Sequence, residues 1–284
     1  LSSGKLSEGS IMLRKKSKRH FYIVTVIVVL LVIWTAWSNT TVGITHYTVA
    51  SDKLPASFDH YSIVVVSDLH NAEFGENNSQ LIKLIEKEKP DIIVITGDLV
   101  DSNKTNIDIA QKLVGTLTGI APCYYVTGNH EAWLGEQYQE LESILLDEGV
   151  AILHDRAVQL IKNTESIQLA GLDDPDFTDR APLQQSMIKT KINNMNLTDN
   201  YCVLLSHRPE AFEDYVSENI DLVLSGHAHG GQFRLPIIGG IVAPNQGLFP
   251  KYDAGIYSEN YTTMVVSRGI GNSIIPIRFN NRPE

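Results

Sequence analysis

Ile63-Val64-Val65-Val66-Ser67-Asp68-Leu69-His70 is the stretch that decides the fold. Four consecutive apolar, β-branched residues without polar alternation read as a strand buried on both faces. The run breaks at once into Asp-x-His, two metal-competent side chains at the strand's carboxyl end. Downstream the arrangement recurs. Ser79 to Lys89 carries Leu81, Ile82, Leu84 and Ile85 at helical spacing and is stopped by Pro90. Ile92 to Thr96 is a second buried strand, running into Gly97-Asp98-Leu99-Val100-Asp101. A helix is expected over Thr105 to Leu117, and a third strand, Cys123 to Val126, ends in Gly128-Asn129-His130-Glu131. This β-α-β-α-β order predicts a parallel sheet, whose ligand-bearing loops gather outside the carboxyl ends of the strands.

Further along, Tyr201 to Leu205 is a strand leading to Ser206-His207-Arg208-Pro209. Leu222 to Leu224 leads to Gly226-His227-Ala228-His229-Gly230-Gly231-Gln232, where two histidines one residue apart sit among glycines. Between these regions, Glu136 to Asp147 reads as a helix, and Ala151–Leu153, Val158–Ile161 and Ile167–Ala170 as short strands. Gly171-Leu172-Asp173-Asp174-Pro175 opens a polar loop over the site to about Pro182, with a helix following to about Asn193. Gly239 to Tyr257 reads as an ordered loop, and Thr262–Ser267 and Ile274–Phe279 as final strands.

Five strand ends therefore offer Asp68, His70, Asp98, Asn129, His207, His227 and His229. Carboxylate and amide oxygens mixed with imidazoles suit manganese, iron or zinc. Seven such groups exceed the needs of one ion, and an Asp able to bridge points to two. Two ions about 3.5–4 Å apart can hold a bridging hydroxide and clamp the attacking and leaving oxygens of an in-line displacement. Singly, each residue has a plainer reading: an Asp after a strand caps a helix, an Asn makes a turn. All five patterns in order, each after an apolar run, argue for one joint site.

The 284 residues suffice for one large α/β domain, and 43% apolar with 20% charged residues is ordinary globular composition. Net charge is −10, unevenly spread: residues 1–20 carry six basic side chains and one acid, leaving 17 basic against 32 acidic residues beyond them. An acidic body excludes the basic footprint of a nucleic-acid groove, so no nucleic-acid partner is expected. From Phe21 to Trp37 the chain is apolar apart from Thr25 and Thr35. Seventeen helical residues span roughly 25 Å, near the lower limit for a bilayer. Trp34 and Trp37 mark the far end, and the cluster Arg14 to Arg19 the near one. The positive-inside rule then makes residues 1–20 a cytoplasmic N-terminus, 21–37 a single-pass anchor in the cell membrane, and the rest extracytoplasmic. A cleaved signal peptide is the competing reading, and no clean small-x-small site supports it. Met12 directly precedes the basic cluster and is the expected native start, with residues 1–11 upstream of it. Residues 38–60 form a polar stalk with one strand-like piece, His46 to Ala50. Cys123 and Cys202 are expected as small buried thiols.

Asp-x-His, Gly-Asp-x-x-Asp, Gly-Asn-His-Glu, a lone His and Gly-His-x-His together resemble the calcineurin-like metallophosphoesterase superfamily. Residues 226–236, the segment from Lys251 to Tyr257 and Ser267-Arg268-Gly269-Ile270-Gly271 resemble its membrane-associated bacterial phosphodiesterase branch. The resemblance covers about residues 44–284. It implies an α/β (α+β) fold, a four-layer α-β-β-α sandwich of two mixed β-sheets over residues 61–284, preceded here by one transmembrane helix. It implies hydrolysis of phosphodiester or pyrophosphate bonds at a dinuclear centre with a bridging hydroxide as nucleophile. Two divalent ions are expected, manganese first, with iron or zinc as alternatives. Asp68, His70, Asp98 and His229 would surround the first ion, and Asp98, Asn129, His207 and His227 the second. His130 would act near the leaving-group oxygen, oriented by Asp101. Ser102 stands where related protein phosphatases carry Arg, which disfavours a phosphoprotein substrate. The anchor favours a phosphoester on an envelope or lipid-linked small molecule. The rival expectation is a binding or scaffold protein at the membrane that keeps the fold without the chemistry. Relatives also continue beyond the position of Pro283-Glu284 into another strand.

Overall fold

The computed structural model describes residues 4–178, 185–272 and 274–284. Its first element is helix α1 (Gly4–Thr40). Within it, Lys18–Thr40 has the length and apolarity to cross a membrane, and its apolar side chains from Phe21 to Ile33 are exposed rather than packed on the domain. The stalk follows in extended conformation. His46 to Ala50 has no ladder partner here, so the strand expected there is not formed; His46 Nε2 instead meets Glu88 Oε2 at 2.7 Å.

Strands β1 (Ile63–Val66), β2 (Ile92–Thr96), β3 (Cys123–Val126) and β4 (Ala151–Ile152) form one sheet in the order β1-β2-β3-β4. Every pairing in it is parallel. Helices α2 (Ser79–Glu88), α3 (Ile107–Leu117) and α5 (Tyr138–Asp147) cross between them, with the short α4 (Asn129–Trp133) leaving the end of β3. The second sheet comes from β5 (Arg156–Lys162), β6 (Glu165–Gly171), β7 (Cys202–Leu205), β8 (Leu222–Ser225), β13 (Gly255–Glu259) and β14 (Thr262–Val266), in the order β13-β14-β8-β7-β6-β5. It is mixed, with antiparallel hairpins at both edges and parallel pairs in the centre. The expected pair of mixed sheets is thus one parallel and one mixed sheet. Three crossovers through helices in a row leave no antiparallel partner for the first sheet.

Alternate residues of the central strands divide between layers, as a period of two requires. Ile92 and Val94 join Val203, Leu205, Leu222 and Leu224 in the core between the sheets. Ile93 and Ile95 face the other way, toward Leu113, Leu117, Leu141 and Leu145 of α3 and α5. Leu204 and Val223 do the same on the far side, toward Ile188 and Ile192 of α6 (Gln185–Asn194) and Phe212 and Tyr215 of α7 (Phe212–Ser217). Strands buried on both faces are continuous apolar runs for this reason, and the result is four layers. Cys123 and Cys202 are buried free thiols, one in each sheet.

Between β8 and β13 lie two small two-stranded sheets. β9 (Arg234–Leu235) pairs with β10 (Gly239–Gly240), and β11 (Val242–Ala243) with β12 (Gly247–Leu248). The final strand expected over Ile274–Phe279 does not form. Pro276 interrupts it, Gln232 Nε2 donates to the carbonyls of Ile275 and Ile277, and only Phe279 makes an isolated bridge, to Phe233. A cavity of about 820 Å³ opens under the stalk beside β1, lined by Tyr47, Val64, Leu84 and Val265. It lies away from the polar cluster at the strand ends.

Candidate metal centre

The carboxyl ends of β1, β2, β3, β7 and β8 meet at one place, and each leaves its strand by an abrupt turn. Asp68, His70, Asp98, His227 and His229 all adopt positive φ, between 44° and 66°. Left-handed backbone is unfavourable for such residues and persists where the surroundings over-determine it, which functional sites do. Gly226 is required by proximity: a Cβ there would lie 2.5 Å from Asp68 Oδ2 and still nearer to Ser67 Oγ.

Two buried groups of donors share one carboxylate. In the first, Asp68, His70, Asp98 and His229 converge; in the second, Asp98, His207 and His227. His70 Nε2 stands 3.2 Å from His229 Nε2 and 3.4 Å from Asp98 Oδ2, and His229 Nε2 is 3.4 Å from Asp68 Oδ1. On the other side, His207 Nε2 is 3.2 Å from the same Asp98 Oδ2 and 3.1 Å from His227 Nδ1. His207 Nδ1 donates to the Thr96 carbonyl at 2.7 Å, which turns Nε2 inward toward Asp98. Asn129 Oδ1 and His70 Nδ1 are buried without hydrogen-bond partners. Inward-facing imidazole nitrogens, two carboxylates and an orphaned amide oxygen are a donor set that fits divalent cations, as buried polar atoms otherwise demand partners.

The electrostatics divide the groups. Burial lowers His70 to about 4 and His229 to about 3, so these imidazoles are neutral. Burial also lowers His227, assisted by the Arg208 guanidinium. Burial opposes charge on His207 as well, yet the Asp98 carboxylate outweighs it and raises His207 to about 10. Asp98, which burial alone would raise, is held well below the carboxylate range by His207 and His70.

His130 begins α4. Its ring packs edge-on against His70, with centroids 4.5 Å apart, and against Trp133 at 4.8 Å. Its Nδ1 accepts the backbone N–H of Ser102 at 3.1 Å and lies 3.1 Å from Ser102 Oγ. Asp101, expected to orient it, stands at 3.8 Å, at ion-pair rather than hydrogen-bond distance. Its Oδ1 instead accepts from the Asn103 amide at 2.7 Å. Since an amide N–H only donates, Nδ1 carries the lone pair and the proton sits on Nε2.

Three supporting residues escaped the sequence reading. Glu131 is fully buried and accepts the backbone N–H groups of Asp98 (2.8 Å), Leu99 (2.7 Å), Val100 (3.3 Å) and Gly128 (2.7 Å). One carboxylate thereby locks the Asp98 turn to the Asn129 turn, although burial pushes it up to about 7. Its signal was present as an acidic N3 residue after Gly128, the arrangement of a capping box. Arg208 stands 3.2 Å from His227 Nε2 and is gripped by Asp174 at 2.6 and 2.7 Å. Arg278 stands 3.3 Å from His229 Nδ1. Nothing local in sequence marks either arginine, because both act across the fold. The polar loop over the site is described to Thr178, where Asp176 accepts from Trp133 Nε1 at 2.8 Å; residues 179–184 lie outside the described residues.

Comparison with known proteins agrees with this geometry. Over 254 residues the chain is 30% identical to the metallophosphoesterase YkuE of Bacillus subtilis, covering 84% of this chain and 82% of that one. It is 29% identical to the phosphodiesterase YaeI of Escherichia coli, covering 79% and 80%. It is 31% identical to a transmembrane protein with metallophosphoesterase domain from Danio rerio, covering 82% of this chain and 54% of that longer one. Residues 61–231, which contain every donor described above, match the calcineurin-like phosphoesterase family, so the chain belongs to that family and is a metal-dependent phosphoester hydrolase.

Proposed function

We propose that the protein hydrolyses a phosphodiester or pyrophosphate bond at a dinuclear centre, with Asp98 as the bridge. The observation that carries this reading is the position of Asp98 Oδ2, 3.4 Å from His70 Nε2 and 3.2 Å from His207 Nε2, at the junction of the two groups. Asp68, His70, Asp98 and His229 would hold one ion, and Asp98, Asn129, His207 and His227 the other. Manganese is the first candidate, ahead of iron and zinc. Two bound cations supply Lewis-acid charge to the phosphoryl oxygens and a nucleophile from water at neutral pH.

The protein's own groups do the rest. Asp98 Oδ1 accepts the His130 N–H at 2.8 Å, so the bridging carboxylate also fixes the start of α4. That contact and Glu131 place His130 at the rim of the cluster with its proton on Nε2. From there it donates to an oxygen that gains charge as the ester bond breaks. Ser102 sets the tautomer, and Asp101 stands 3.8 Å from Nδ1. Ser102 in contact with His130 also leaves no guanidinium at that position to bind a phosphoprotein, which favours a diester. The phosphodiesterase named among the relatives supports the same choice.

The helix Lys18–Thr40 and the transmembrane relative support a single-pass protein with its N-terminus in the cytoplasm and the hydrolase on the outer side. An envelope or lipid-linked phosphoester is then the substrate class in reach. The test is metal analysis of the purified full chain together with hydrolysis of bis-p-nitrophenyl phosphate under added manganese. Two ions per chain with turnover is the expected result; neither ion nor turnover would reject the reading.

A further inference from the structure

Five exposed apolar side chains of the domain gather around one junction. Leu235, Ile237 and Ile238 lie on the β9–β10 hairpin, and Ile274 and Ile277 on the C-terminal strap, all well exposed, with Ile237 fully so. Single exposed apolar residues need no explanation, but a contiguous group does. Hydrogen bonds fix this group in space. The Gln232 amide donates to the carbonyls of Ile275 and Ile277 at 2.8 Å, and Arg234 N–H donates to the Phe279 carbonyl at 2.9 Å. The base of the hairpin is stiff, because Asp253 Oδ2 accepts from both Gly240 N–H (2.5 Å) and Arg234 Nη1 (2.9 Å).

The same strap holds the end of α1. Asn39 Oδ1 accepts the Arg278 N–H and Asn39 Nδ2 donates to the Arg278 carbonyl, each at 2.7 Å. Arg282 donates to the carbonyls of Thr41 and Val42, with its guanidinium 5.1 Å from the Trp37 ring. One residue beyond Arg278, the strap pairs with the strand that carries Leu235. The apolar group is therefore continuous with the point where the helix of membrane-spanning length meets the domain. It is also continuous with the metal centre, since Arg278 lies 3.3 Å from His229 Nδ1 and Gln232 is three residues from His229.

We propose that this rim enters the interface of the bilayer that α1 crosses, so that the hydrolase takes its phosphoester at headgroup level from a lipid in that membrane. The occupant is lipid because the surface continues from the end of α1, where Trp34 and Trp37 supply the amphipathic rings favoured at such a boundary. Burying the tip removes exposed isoleucine from water, and the fixed base aligns the cluster with the membrane plane. The substrate part rests on the hydrolase reading above; the insertion part does not.

The experiment keeps these parts separate. The full chain is reconstituted into phosphatidylcholine–phosphatidylglycerol vesicles, with an environment-sensitive dye on Ile237→Cys or, as control, on Tyr261→Cys. Tyr261 is exposed at the opposite, amino-terminal end of β14, and the native cysteines are buried. Nitroxide-labelled lipids are expected to quench the dye at 237 several-fold more than the dye at 261. Equal, weak quenching at both positions would overturn the insertion. Shielding of the 237 dye from aqueous iodide without nitroxide quenching would put a second copy of the chain on the tip and also overturn it. The pair Ile237→Ser/Ile238→Ser is then assayed on a fluorescent phospholipid in the vesicles and on soluble bis-p-nitrophenyl phosphate. A loss of about tenfold on the lipid alone is expected. Equal loss on both substrates would overturn the lipid-delivery role, whereas absence of all turnover with quenching intact would reject the hydrolase reading and leave the insertion standing.

Discussion

The two halves of the metal centre are built alike and charged differently. Each pivots on Asp98, and each has a buried arginine behind its outermost imidazole: Arg278 at 3.3 Å from His229, Arg208 at 3.2 Å from His227. Arg208 is compensated by three acids, Asp174 at 2.6 Å, Asp176 at 3.2 Å and Glu210 at 3.6 Å, which raise its pKa although burial opposes its charge. Arg278 is held by neutral oxygens, the carbonyls of Arg268 and Gly271 and the Asn272 amide, and burial lowers it to about 10. The Asp68 side therefore faces a guanidinium with little local compensation, while the His207 side faces one already neutralised. The two sides thus differ in the charge behind their imidazoles.

The largest effect should come from removing what the halves share. Asp98→Ala takes the bridge from both groups and the acceptor from the His130 N–H. Metal analysis should find both ions lost, and kcat/KM should fall by about a thousandfold or more. Retention of the ion on the His207 side alone would show that the halves are independent, contrary to a shared centre.

The arginines test the charge difference directly. Arg208→Met leaves Asp174 and Glu210 buried without their cation, and breaking a buried pair from one side costs about 3–5 kcal/mol. Arg278→Met removes a poorly compensated charge and strands carbonyls instead, for about 1–3 kcal/mol. Guanidinium denaturation of the metal-free variants measures both. A larger loss at Arg278 would reverse the assignment of the two environments. His130→Ala belongs to neither half and should keep both ions while losing roughly 10²–10⁴ in kcat. Loss of metal in that variant would move His130 into the ligand set.

How far the sequence carried this comparison depended on distance along the chain. The five strand ends were legible because each donor directly follows an apolar run, and the parallel order brings those ends together. His46–Ala50 and Ile274–Phe279 misled, since strand-like residues without a neighbouring ladder stay extended, bonded through His46 and Gln232 instead. The arginines were invisible for a different reason. Arg278 reaches its histidine across 49 residues, and Asp174, the acid nearest Arg208, lies 34 residues before it. Neither separation has a period. The resemblance set Asp101 behind His130; the turn holds it 3.8 Å from Nδ1 and presents the next residue's amide at 3.1 Å.

The smallest expected effect, and the finest test of the asymmetry, is the pH dependence of metal-free stability. His70 and His229 have folded pKa values of about 4 and about 3 against an ordinary 6.5. The unfolded chain then binds more protons between those values, so stability present above pH 6.5 is lost as the pH falls toward 4. Each group contributes a slope of about 1.4 kcal/mol per pH unit within that window. His207 has the opposite sign. Its folded pKa is raised to about 10, so its contribution is complete below pH 6.5 and is lost as the pH rises through 10. Asp98, depressed by the same partners, adds stability that disappears only as the pH falls through its own low value. His229→Gln should therefore flatten the acid limb and leave the alkaline one, and His207→Gln should do the reverse. The first half would behave as neutral ligands awaiting a cation, and the second as a histidine–carboxylate pair in which a proton holds the cation's place. Identical limbs in the two variants would mean that the halves titrate as one, and that the buried arginines behind them do not set their character.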